Sequence, residues 1–148
     1  MKKIISLFLI VTALVLTLSA CGGEKTNIES YTWTLRYAMH GEGEQLAVDA
    51  VDKADPAHPD AKIVSVTLTA SNGKITVTDE TNQKVYLGSY TVEGKSPKST
   101  DYLVTLDGKS GYATVAMTTY ADGTKEPTLP INLDGYALYF YAREDSKQ

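Results

Sequence analysis

From Tyr31 onward, large apolar and polar side chains alternate one by one along the chain. Trp33, Leu35, Tyr37 and Met39 interleave with Thr32, Thr34, Arg36 and Ala38, which predicts a first strand with one buried face. The same period recurs in QLAVDAV (45–51), IVSVTLTA (63–70), ITVTD (75–79), KVYLGSYTV (84–92), YLVTL (102–106), YATVAMTTY (112–120), TLPINL (128–133) and YALYFYAR (136–143). Turn chemistry separates these runs. Asn72-Gly73 between two Thr- and Val-rich segments is a strong hairpin signal, because both residues tolerate positive φ; DGKSG, ADGTKEP and Asp134-Gly135 punctuate the later runs. Eight to nine strands at a spacing of roughly ten to twelve residues predict an all-β fold, an antiparallel up-and-down barrel with a β-sandwich as the alternative. Pro130 cannot donate to a ladder, so its strand is expected at an edge or with a bulge.

The first residues follow another rule. Lys2 and Lys3 precede an uncharged apolar run, Ile4 to Leu18, which at 15 residues is shorter than the ~20 that a spanning helix needs. Small residues and the polar stretch GGEKTNIES end it, the organisation of a secretory signal. Leu18, Ser19, Ala20 and Cys21 match the lipobox position by position, so the beginning of the chain resembles bacterial lipoprotein precursors. That resemblance implies cleavage before Cys21, a diacylglycerol on its sulfur and a location at the extracytoplasmic face of a membrane. Stable anchoring takes two signals, and two or three acyl chains on one residue meet that requirement. The expected organisation is a signal peptide at 1–20, a lipidated Cys21 with a flexible tether to residue 30, one β domain at 31–143 and a charged tail at 144–148.

Charge narrows the partners. The whole chain carries a formal −4, and removing residues 1–20 takes away two lysines and no acid, leaving −6. A nucleic-acid partner is not expected, since neutralising phosphates needs a basic face. Cys21 is the single cysteine, which leaves no disulfide or redox chemistry for the domain, and a monomer is expected. Asp55, His58 and Asp60 bring metal-ligand types together in the proline-braced segment DKADPAHPD, but at a spacing that matches no ligand motif; no metal or other cofactor is expected. No nucleophile motif accompanies the two histidines, so binding without catalysis is the expectation.

Ten tyrosines stand beside one Trp and two Phe, of which only Phe140 lies beyond the signal. Tyr37, Tyr86, Tyr90, Tyr112 and Tyr136 are candidates to line a cavity, since a tyrosine combines an apolar ring with a tip that needs a hydrogen bond. The plainer reading is that they are half-buried strand residues, since strands favour Tyr. An early Trp (Trp33), about eight antiparallel strands and an Arg ending the last one (Arg143) resemble the lipocalin-type barrel; Tyr31 departs from the glycine of its G-x-W pattern. The resemblance implies that Trp33 and Arg143 pack together where the barrel is shut, with the first strand paired to 136–142. It also implies a small apolar or amphipathic ligand. The alternatives are binding of an envelope protein, or a solid-cored interaction module or inhibitor that meets proteins or glycans through loops such as DPAHPD and ADGTKEP.

Overall fold

The computed structural model describes residues 25–41, 44–49 and 60–142. A single turn of 3-10 helix, Ile28–Ser30, precedes ten strands: β1 (Trp33–His40), β2 (Glu44–Asp49), β3 (Lys62–Val64), β4 (Val66–Ser71), β5 (Lys74–Asp79), β6 (Lys84–Lys95), β7 (Ser99–Leu106), β8 (Lys109–Thr119), β9 (Lys125–Leu133) and β10 (Tyr136–Ala142). Starting at β1, the ladder passes through β4, β5, β6, β7, β8, β9 and β10 and returns to β1. The result is a closed eight-stranded antiparallel barrel, which rules out the sandwich. Asn72 and Gly73 turn the chain at φ 51° and 75°, and Asp107-Gly108 and Asp134-Gly135 repeat that geometry. Such two-residue turns match the twist of the strands they join.

β1 and β10 close the barrel over their full length, from Trp33↔Ala142 through Leu35↔Phe140 and Ala38↔Leu138 to His40↔Tyr136. The register shifts by one residue between Leu35 and Tyr37. This bulge puts Arg36 and Tyr37 together on the outer face while Leu35 and Ala38 both stay buried.

The order is not a simple meander. β1 meets β4 only at Trp33↔Leu68 and Thr34↔Thr67. Farther along, β2 inserts itself, antiparallel to β1 and parallel to β3. The single strand expected over 63–70 is accordingly two, broken at Ser65, whose N–H turns away to the Thr81 hydroxyl at 2.8 Å. The barrel is thus wider by one strand at the end of β1 than at its start. The segment joining β2 to β3, with Asp55 and His58, lies outside the described residues.

Two further expectations are corrected. β9 is not an edge strand: it pairs with β8 on one side and β10 on the other. The β8 ladder lapses between Ala113↔Ile131 and Ala116↔Thr128 and resumes in unchanged register, so the missing donor of Pro130 is absorbed without a bulge. The tether is also shorter than expected, because Lys25–Ser30 are docked. Ile28 is fully buried and Thr26 nearly so. The Thr26 hydroxyl meets that of Thr100 at 3.1 Å, and the Ile28 N–H donates to the Tyr102 hydroxyl at 3.1 Å.

Inward residues fill one half of the barrel. Trp33, Tyr102, Leu68, Ile75, Leu129, Val104 and Val115 are almost wholly buried together, with Ile28 capping them as a plug. Toward the other end the inward positions include glycines. A Cβ on Gly111 would lie 1.9 Å from the Asn132 carbonyl oxygen, and one on Gly88 2.2 Å from that of Thr105. Only glycine allows the neighbouring strands to approach so closely, and neither position sends a side chain into the barrel.

Candidate functional site

Successive hairpins of a meander alternate between the two ends of the barrel. The plug sits at one end with the β4–β5 turn, where the Asn72 N–H donates to Glu29 at 2.6 Å. At the other end the β5–β6, β7–β8 and β9–β10 turns surround a half-open cavity of about 370 Å³. Its walls are Leu35, Val77, Leu106, Leu133, Leu138 and Phe140, one or two from each of five strands. The volume is at the lower end of the ~300–1,000 Å³ typical of ligand pockets. The filled half and the open half have one origin: large inward side chains crowd the plug end, and Gly88 and Gly111 take inward positions beside Leu106 and Leu133.

Polar groups stand at the rim. Asp79 ends the inward series begun by Ile75 and Val77 and is only 8% exposed. Burial alone would raise its pKa, but the Asn82 side chain (2.7 Å) and N–H (2.9 Å) donate to its two oxygens and hold it below the ordinary carboxylate value. Asp107, on the β7–β8 turn, also borders the cavity. Two residues on, Lys109 Nζ meets Asp134 Oδ2 at 2.8 Å, a contact that raises the lysine pKa and lowers that of the aspartate. The Tyr136 ring lies 4.6 Å from the His40 ring and 5.4 Å from Lys109 Nζ.

Of the five candidate tyrosines, Tyr86 and Tyr136 border this cavity. Tyr90 lies at the plug end, its ring edge-on to Tyr102 at 5.5 Å and its hydroxyl donating to Glu29. Burial, then that bond, push its pKa up to about 12. There it lines a second, more polar hollow of about 500 Å³ together with Lys25, Lys95 and Thr100. The other two do not face the interior. Tyr112 is 66% exposed on the outer face, since Ala113 and Val115 are the inward residues of β8. Tyr37 was carried outward by the β1 bulge and stacks on Tyr139 at 5.0 Å and 3°.

Near that pair, on the outside of the barrel, Arg36 bridges several groups. Its guanidinium is 2.9 Å from both the Tyr120 hydroxyl and Glu126, and 4.4 Å from the centre of the Tyr141 ring. At the shut end the Trp33 indole N–H donates to the Ile28 carbonyl, and Tyr31 meets its ring edge-on at 5.2 Å. Arg143 and Cys21 lie outside the described residues.

The rim acids Asp79 and Asp107 and the cation Lys109 were not among the candidates. Parity was the available signal for Asp79, because Ile75 and Val77 already place it on the inner face. An apolar recess with charges confined to its border is suited to holding a molecule by its apolar body and orienting a polar end. No family model, no curated protein and no solved structure matches the chain.

Proposed function

We propose that this chain is a membrane-anchored extracytoplasmic lipoprotein whose barrel takes a small apolar or amphipathic molecule into its open mouth and leaves it chemically unaltered. The observation that carries the binding part is the recess of about 370 Å³ walled by Leu35, Val77, Leu106, Leu133, Leu138 and Phe140, the more apolar of the two hollows described. The lipobox ending at Cys21 supports the anchored part. Residues 22–148 contain every described strand, the plug and the whole buried core, so binding can be measured on that portion in solution. The neutral dye N-phenyl-1-naphthylamine should gain fluorescence on mixing, and decanol should displace it and raise the melting temperature, as any ligand of the native state must. Val66→Phe, which places a ring at the mouth, should weaken dye binding at least tenfold with the melting temperature maintained. Absence of dye binding and of any decanol-induced stabilisation would remove the pocket from consideration.

A second reading, an interaction module, is favoured by the outer faces of β6–β8. Leu87, Val85 and Tyr112 are 70%, 61% and 66% exposed there, and Leu103 is paired directly with Tyr112. Capture of an envelope protein that is lost with Tyr112→Ser and Leu87→Ser, and kept with Val66→Phe, would favour it.

A further inference from the structure

We propose that the mouth pocket selects molecules with an apolar body and a positively charged head, such as alkylammonium ions or hydrophobic amines, over anionic amphiphiles of equal length. The inference rests on the mouth being the binding site and assigns the chemistry of what enters it.

The charges around the recess are unequal. Asp79, an almost fully buried residue, lines it, satisfied in hydrogen bonding by Asn82 and with no cation bonded to it among the described residues. Lys84 is its partner across the β5–β6 ladder and acts on it only through its field. Asp107 adds a second negative charge at the border. Lys109 is the single cation bordering the recess among the described residues, and Asp134 already engages its ammonium at 2.8 Å. The lining itself therefore holds two carboxylates and one ammonium, and around it stand Asp134 on Lys109, Lys84 and Glu80 near Asp79, and His40 beside Tyr136.

An incoming carboxylate or phosphate would meet Asp79 and Asp107, with Lys109 already paired to Asp134 and Lys84 set across the ladder from Asp79 rather than in the lining. An ammonium group meets the reverse. Its attraction to Asp79 acts across low-polarity walls, where Coulomb energies exceed those in water. Two aromatic rings strengthen the preference. Tyr86 and Tyr136 border the same recess, ring faces attract cations, and Lys109 Nζ at 5.4 Å from the Tyr136 centroid shows that this ring already accepts one. The apolar tail would occupy the space between Leu35, Leu106, Leu138 and Phe140.

The test compares decyltrimethylammonium, decanol and decanoate, three probes with the same tail, for displacement of N-phenyl-1-naphthylamine from residues 22–148 at neutral pH and below their micellar concentrations. The ammonium probe should displace the dye at a concentration about tenfold or more below that of decanoate, with decanol between them. Asp79→Asn should shrink that ratio to about threefold or less. Asp107→Asn is the second variant; it lies on an exposed turn at φ 50°, which asparagine tolerates, and should shift the ratio in the same direction. Decanoate binding as tightly as the ammonium probe, or a preference that survives both substitutions, would overturn the inference while leaving a neutral-ligand pocket in place. Failure of all three probes would instead remove the binding site on which the inference rests.

Discussion

The indole N–H of Trp33 donates to the main-chain carbonyl of Ile28 across 2.8 Å, and both residues are completely buried. The first strand thereby holds down the turn that precedes it. Trp33→Phe leaves that carbonyl without its donor and should cost about 1–3 kcal/mol before any loss of packing. Ile28→Ala empties the plug and should cost about 2–5 kcal/mol. Urea midpoints of the single and double variants check the link: two residues that act together should give a coupling of about 0.5 kcal/mol or more, and simple additivity would show that the plug and the strand are independent.

Closure of the barrel makes the β1–β10 seam as protected as any interior ladder. Amides of Thr34, Leu35 and Tyr141 should exchange with solvent only through global unfolding. Phe140→Ala, opposite Leu35 in that seam, should cost about 3–5 kcal/mol by denaturation. Fast exchange confined to β1 and β10 would mean that the sheet is open there.

Alkaline stability should depend on Tyr90. Its ordinary value of 10.0 is pushed up to about 12 in the folded chain, foremost by burial and then by the bond to Glu29. The folded state therefore keeps a proton that the unfolded chain releases first. The stability this provides is whole below pH 10 and is lost as the pH rises through about 12. Tyr90→Phe should flatten the fall in melting temperature over that window, with a residual slope from Tyr37, Tyr102 and Tyr120, whose pKa values are also raised. An identical slope in the variant would assign the effect to the other three.

Cys21→Ser should abolish incorporation of labelled palmitate and release the protein from membranes, since a lipid chain is the attachment that the lipobox resemblance implies. Labelling and membrane retention equal to those of the parent chain would end the lipoprotein reading.

Strand period and turn chemistry made much of the fold legible. Asn72-Gly73 and Asp134-Gly135 turn where their residue types require, and the run from Trp33 pairs with the run from Tyr136 as a closed barrel demands. Facing was harder to read. One bulge at Arg36 reverses the side on which Tyr37 stands, and in YATVAMTTY the small Ala113, not Tyr112, is the inward residue, so size misled where parity decided. The plug carries no periodic signal at all, because Ile28 is a lone apolar residue in a polar stretch. Its burial depends on Trp33 and Tyr102, the latter 74 positions away along the chain. The insertion of β2 against β3 depends on the break at Ser65, which no turn residue announces.

On the proposed lipid anchor, docking of Lys25–Ser30 against the filled end would also set an orientation. Only residues 22–24 separate Cys21 from Lys25, and four extended steps span at most about 14 Å. With the lipid on Cys21, the plug end would rest close to the head groups, and the recess would open farther out, by about 20 Å for the eight residues of β1 at the tilt a closed barrel imposes. Cargo could not slip sideways from the bilayer into such a mouth. It would arrive from the outward side, delivered by diffusion or by a neighbour, and the anchored barrel would behave as an upright cup on a short stem.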